Sequence, residues 1–355
     1  MQGTLARELV RFEAHAGAHR PALRCGVSVG VPMLALLVLG RLDLLGAATF
    51  GAFAAIYGRN LTVPARTQVQ AVTGLGLVAS VAVGLLAAHL PASPWLALLV
   101  LVGVAVAGTI GGEVVGWKPG GPLFFVFAAG AFAGAHPLGL AAALQVVAVA
   151  AGSAAFAVLV GSAGALLPGH VRRRAPLVRL PLGEAARREI VLEVLLACAV
   201  TAPLAVLLGV GHLYWALVAA VVPLSVAGSR ARVNRGVLRI GGTLGGLAVA
   251  AALLALHLPG WAIVVAAVVL QTAAELLVMR NYAVALLFIT PLALVVGTTM
   301  HPVPTATLLA DRLVSTVVGV LVALAVLGLR ARRRRSRDRA VAVLPAAPET
   351  GSFAA

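Results

Sequence analysis

A single alternating threading of the apolar stretches places all but two of the chain's 27 Lys and Arg residues on one side. That side collects Arg7, Arg11, Arg20 and Arg24; Arg59 and Arg66; Lys118; Arg172 through Arg188; Arg230 through Arg239; Arg280; and Arg330 through Arg339. The opposite side keeps Arg41 and Arg312, together with His89, His136, His212, His257 and His301. Short cytoplasmic loops retain Lys and Arg because carrying those charges across a membrane is unfavourable. The pattern therefore predicts a polytopic protein of the inner (plasma) membrane with both termini in the cytoplasm.

Composition points the same way. Hydrophobic residues make up 61% of the chain, charged residues 11%, and the mean hydropathy is +1.05, whereas about a quarter of a soluble domain is charged. The net charge of +16 and the run RARRRRSRDR would, in isolation, fit nucleic acid. Here the cations sit between apolar runs, where topology and anionic lipid headgroups account for them. Lipid, and not nucleic acid, is the expected partner. Cys25 and Cys198 lie inside apolar runs with no disulfide framework or metal spacing, so no metal and no cofactor is expected.

The fold class expected is all-α, because a chain embedded in lipid must satisfy its backbone internally and no alternating strand pattern is present. About twelve crossings can be drawn, at 24–40, 44–58, 69–88, 95–112, 121–135, 138–162, 190–208, 213–228, 236–256, 260–275, 281–297 and 308–329. Segments 44–58 and 121–135 are the shortest and are candidates for broken or re-entrant helices. The basic stretch before 25–40 resembles a signal, but so many spans follow that a retained first helix is expected.

The chain also repeats itself. AAHLP (His89, Pro91) is matched by ALHLP (His257, Pro259), with Trp95 and Trp261 following at nearly equal distance. GGEVVG around Glu113 is matched by AAELLV around Glu275, and FFVFAAGAF running to His136 by LLFITPLAL running to His301. Two six-helix repeats are predicted, 24–167 and 190–329, parallel to each other because each has an even number of spans. They are flanked by a cytoplasmic segment 1–23, a basic linker 168–189 and a disordered basic tail 330–355.

The richest stretch is 212–246. From a helix start near Arg232, the residues Arg232, Arg235, Arg239, Thr243 and Gly246 fall on one face. Cations at the mouth, then a hydroxyl, then no side chain would line a path for an anion; the alternative is topology anchors with packing glycines. Gly242 and Gly246 form a small-xxx-small pair that admits a close neighbour. Arg312, Thr316 and Gly319 repeat the spacing, entering from the opposite side, whereas the first half keeps only Thr73 and Gly76, with Val69 in the Arg position.

Three pieces, in order, carry a resemblance: YWALVAAVVPL followed by RIGGTLGG, then YAVALLFITPLAL at 282–294, then DRLVSTVVGVLVAL at 311–324. Together they resemble the fusaric acid resistance superfamily and its integral membrane bound transporter domain, over roughly 190–329. The resemblance implies export of aromatic carboxylic acids or similar small organic anions, driven by the proton gradient. It also implies a distant kinship with plant aluminium-activated malate channels, whose dimer would correspond to the two halves here. Many relatives carry a large cytoplasmic domain between the halves, which the short linker of this chain cannot supply.

Glu113 and Glu275 occupy matching repeat positions at span ends. Each is a candidate for proton coupling, or else a salt-bridged acid, Glu113 with Lys118 and Glu275 with Arg280. Tyr214 and Trp215 could stack an aromatic substrate at the exit or belong to an interfacial aromatic belt with Trp95 and Trp261. Pro223 and Pro291 are expected to break segments eight and eleven. The outer histidines come from separate loops without ligand spacing, and no nucleophile elbow, phosphate-binding loop or HExxH is present, so neither a metal site nor an enzyme is expected. A passive organic-anion channel and a non-transporting structural protein of the envelope stand as alternatives; a homo-oligomer is compatible with all three.

Overall fold

The computed structural model describes residues 12–14, 17–90, 94–163, 183–300 and 302–342. Arg7, Arg11, Pro91, His301, the linker up to 182 and the tail from 343 lie outside them. In chain order the helices are α1 (His19–Val38), α2 (Leu45–Ala52), α3 (Val63–Ala87), α4 (Pro94–Val115), α5 (Leu123–Ala133) and α6 (Leu140–Ser162). After the linker come α7 (Glu184–Leu207), α8 (Leu213–Leu224), α9 (Ser229–Ala255), α10 (Gly260–Leu277), α11 (Tyr282–Met300) and α12 (Thr305–Ala342). Short 3-10 turns, Leu42–Leu44 and Phe53–Ile56, extend α2 at both ends. Among the described residues there is no strand, and nine helices are long and apolar enough to cross a membrane. The chain is a multi-pass, all-helical membrane protein.

Three apolar stretches are shorter: 42–56, 123–133 and 213–224. The first two fall where short segments are expected. The third corrects the expected crossing 213–228, since α8 stops at Leu224, one residue past Pro223. A proline inside a helix removes one backbone hydrogen bond and crowds the preceding turn. Gly228, at φ +88°, then turns the chain into α9 in a conformation that L side chains rarely adopt. Pro291 behaves otherwise: α11 runs through it to Met300, because helices packed on both sides can hold a membrane helix across a proline. The expected disordered tail is also corrected in part, for α12 continues as helix to Ala342.

Packing within the first half sets α3 on α5 and α6, α2 on α6, α4 on α5, and α1 on α2 and α6. In the second half α9 packs on α11 and α12, α8 on α12, α10 on α11, and α7 on α8 and α12. Each pair recurs six helices later. Across the halves α1 meets α10 while α4 meets α7, and α2 meets α11 while α5 meets α8.

The tightest pairs touch through glycine. A Cβ on Gly242 would fall 2.6 Å from the Ala283 carbonyl oxygen, and one on Gly246 would overlap the Leu286 carbonyl oxygen, so α9 lies backbone to backbone on α11. Gly319 does the same to the Ala216 carbonyl in the α8–α12 pair, Gly84 to that of Ala129 in α3–α5, and Gly51 to that of Ala150 in α2–α6. Lipid and leucine are equally apolar, so close van der Waals contact, rather than water exclusion, must hold such helices together.

One ionic cluster ties three helices of the second half. Glu193 on α7 accepts from Arg232 on α9 at 2.7 Å and lies 3.3 Å from Arg330 on α12, which also lies 3.3 Å from Glu189. Glu193→Gln is expected to lower stability by about 1–3 kcal/mol, less than a fully buried pair because both guanidinium groups reach water. Thermal aggregation followed by size-exclusion chromatography measures it; an unchanged melting point would show the cluster to be ornamental.

Candidate anion site

The arginines of α9 do not share one fate. Arg232 turns away to Glu193 and to the Val226 carbonyl. Arg235 lies over the ring of Tyr282, 3.4 Å from its centroid, and Arg239, 3% exposed, donates from Nη1 to the Tyr282 hydroxyl at 2.9 Å. Thr243 follows one turn further along the same face, fully buried.

From the other end of the bundle comes Arg312. It is 1% exposed and sits 5.2 Å from the ring of Trp215. Arg239 is within electrostatic reach of it. The α9–α12 and α8–α12 contacts create this meeting; residues 73 positions apart in sequence carry no local sign of it. Thr316 donates its hydroxyl to the Arg312 carbonyl at 2.8 Å and is thereby used up within its own helix.

Among the described residues no carboxylate pairs with Arg235, Arg239 or Arg312. Asp311, next in sequence, is bonded to His212 instead. Several donors are buried without a hydrogen-bond partner: Arg235 Nε, Arg239 Nε, Arg312 Nε and Nη1, and Trp215 Nε1, with the hydroxyls of Thr243 and Thr290 beside them. Burying a charge is costly unless it is paired and hydrogen-bonded. Such a site is completed by an acceptor that brings negative charge, and a guanidinium fork matches a carboxylate in two parallel bonds. The rings of Tyr282 and Trp215 give an adjoining aromatic surface.

The structure thus brings Arg235, Arg239, Thr243, Arg312, Thr316 and Trp215 together. Trp215, only 2% exposed, faces protein, while Trp95 at 52% and Trp261 at 60% are exposed as interfacial aromatics would be. Tyr214 adjoins the site, its ring 5.6 Å from that of Trp215 and within electrostatic reach of Arg312, while it also packs on Gly130 and lies 5.8 Å from Phe127 on α5. Sequence reasoning missed Tyr282 and Thr290. Tyr282 opens one of the motifs noted above, but only the α9–α11 contact shows that its hydroxyl meets Arg239.

Among the described residues the first half has no such site. Arg66 on α3 spends its donors on backbone, bonding the carbonyls of Gly161 at 2.9 Å and Leu61 at 3.2 Å, and Val69 is a core residue. Glu275, 4% exposed, is held by Arg59, whose Nη2 lies 3.3 Å from the carboxylate and donates to the Glu275 carbonyl at 2.7 Å. This corrects the expected pairing with Arg280. Arg280 lies past the end of α10 at Leu277 and instead bonds the Glu13 carbonyl. Glu113, partly exposed, likewise lies within reach of Arg187 on α7 across the other inter-half contact. Arg41 is held locally by two hydrogen bonds to Asp43, at 2.9 and 2.8 Å, which keep that carboxyl below its usual range.

A multi-pass helical bundle with unpaired cations buried at a helix junction has the build of a membrane transporter. Residues 196–326, the stretch from α7 into α12, match the model of the fusaric acid resistance protein-like family. That stretch contains every residue of the arginine cluster. No curated protein and no solved structure matches the chain.

Proposed function

We propose that the protein exports small organic anions, aromatic carboxylates foremost, across the inner membrane, holding the anion between Arg235, Arg239 and Arg312. One observation carries this: the buried guanidinium groups of Arg239 and Arg312, with the half-buried Arg235 beside Arg239, keep unsatisfied nitrogens and have no acid to answer them. The ring surfaces of Trp215 and Tyr282 support an aromatic substrate. The recurrence of helix pairs six positions on supports two parallel six-helix repeats, and the clustering of cations at one end supports a cytoplasmic location for that end and both termini. Anionic headgroups would neutralise the basic loops.

Proton coupling is assigned to Glu275, with Glu113 its counterpart in the first half. Proton uptake would release Glu275 from Arg59 and loosen α10 against the connection between Ile56 and α3. A passive channel is the second reading, favoured by that same ion pair, which leaves Glu275 already engaged. An inside-negative potential also drives anions outward by about 2.3 kcal/mol per charge per 100 mV without any proton. Proteoliposomes loaded with a hydroxybenzoate separate these readings. A coupled exporter shows efflux that an imposed pH gradient accelerates and that Glu275→Gln abolishes without impairing insertion. A channel follows the anion gradient and potential and ignores pH on the trans side. Flux no greater than through empty vesicles would overturn both and leave a structural role in the envelope.

A further inference from the structure

The outer end of the proposed site carries a group that none of the foregoing uses. His212, at the head of α8, has its Nδ1 2.8 Å from Asp311 Oδ2, and its backbone N–H donates to the same oxygen at 3.2 Å. Its ring stacks on Trp215 with centroids 4.3 Å apart and planes 11° from parallel. The Arg312 guanidinium lies over that same indole. His212 and Asp311 keep 16% and 12% side-chain exposure, so water and protons reach them. The twelve residues of α8 cover about 18 Å, well short of the ~30 Å hydrocarbon. At least one end of α8 is therefore recessed below the membrane surface.

We propose that His212, Asp311 and Trp215 form a proton-binding latch that closes the outer mouth of the anion site when the outside is acidic. The inference rests on the anion-site reading and adds its gate. Asp311 immediately precedes Arg312, so the His212–Asp311 bond fixes α8 to α12 directly above the buried guanidinium. With neutral imidazole the bond already ends on a carboxylate; proton uptake turns it into an ion pair and adds a cation to the indole face. Arg312 opposes this charge from across the indole ring, at longer range than the directly bonded Asp311 carboxylate, so the net effect is tightening. The remaining titratable group beside the ring is Tyr214, at 6.2 Å. Of the other elements packed on α8, α5 carries no charged residue; Glu113 of α4, Glu184 to Glu193 of α7 and Arg230 to Arg235 of α9 lie towards the opposite ends of their helices, and Arg239 is within reach of Arg312. Among the described residues of these helices the pair is the proton acceptor stacked on the indole, while His136 and His257 lie just past the ends of α5 and α9. A closed latch would stop exported weak acid from re-entering along the same path.

Two readouts test it in the same vesicles. The pH on both sides is lowered together from about 7.5 to about 5.5, the interval in which an ordinary imidazole takes its proton, so that no proton gradient drives or opposes the anion. Hydroxybenzoate flux through the wild type should fall about fivefold, the upper range for gaining a partly exposed ion pair. Flux through His212→Gln, which keeps a donor for Asp311 but cannot titrate, should stay level. Independently of transport, a stacked imidazolium quenches indole emission. An acid quench should therefore appear in the wild type and be missing from both His212→Gln and Trp215→Phe. A His212→Gln flux profile as pH-dependent as the wild type, or a quench that survives that substitution, would overturn the latch. Undiminished flux through Arg312→Gln would instead overturn the anion-site reading, with the quench still reporting on the latch, so the two failures are distinct.

Discussion

Arg312→Met should abolish anion transport and at the same time leave the purified protein as stable as the wild type, or more so. The two outcomes share one cause. Arg312 is 1% exposed with Nε and Nη1 unsatisfied and no acid beside it. In the anion-free protein it is a buried charge whose desolvation the Trp215 ring, 5.2 Å away, offsets only in part. An unbranched apolar chain of similar length removes that cost, and replacing buried charges with apolar groups has stabilised proteins by roughly 1–4 kcal/mol. When the anion is bound, the same guanidinium supplies charge-assisted hydrogen bonds worth about 1.5–3 kcal/mol each. Their loss corresponds to about 10- to 150-fold weaker apparent affinity, since 1.4 kcal/mol is a factor of ten. Thermal unfolding with and without hydroxybenzoate reads both sides at once. The wild type should gain stability from the ligand, as anything that binds only the folded state must confer, and the variant should gain none. A variant that melts earlier yet still transports would show Arg312 to be structural.

The second large effect concerns the helix pair that positions that arginine. Gly319→Leu should prevent assembly, while Gly328→Leu, nine residues along the same helix, should be tolerated. A Cβ on Gly319 would overlap the Ala216 carbonyl oxygen and lie 2.7 Å from Ala219 Cβ and 2.8 Å from the Ala220 nitrogen, so two backbones would have to part. Overpacking against movable side chains already costs about 1–3 kcal/mol, and backbone cannot yield by changing rotamer. Gly328 has nothing within 4 Å, and replacing glycine in a helix interior gains up to about 1 kcal/mol of helix propensity. Fluorescence-detected size exclusion of tagged variants gives the comparison: a single wild-type-like peak for Gly328→Leu and aggregate for Gly319→Leu. Equal peaks would mean that α8 and α12 do not depend on this contact.

Much of the architecture was legible because membranes impose one-dimensional rules. Apolar runs, the asymmetry of Lys and Arg, and the recurring His-Pro and Glu landmarks need no knowledge of contacts. The short segments at 44–58 and 121–135 also showed, in their length alone. The truncation of α8 did not, because Val226 continues its apolar run up to Gly228 and only the backbone turn reveals the end. Pro291 misled in the opposite direction, since whether a proline ends a helix depends on what packs beside it. Site residues divided the same way. The helical spacing of Arg235, Arg239 and Thr243 is a local property and could be read directly. That Glu193 takes Arg232 out of that face, that Arg59 rather than Arg280 answers Glu275, and that Asp311 serves His212 instead of Arg312 are facts of tertiary contact.

By itself, then, the order of residues determined that this chain is helical, crosses a membrane many times and places cations on one helix face. A periodicity and a transfer free energy act on each segment separately, and so they are written into the chain. Which guanidinium groups find a carboxylate and which are left waiting for a ligand was decided only when twelve helices packed. Pairing depends on a few ångströms between side chains distant in sequence, and glycines set that spacing by letting one backbone lie on another.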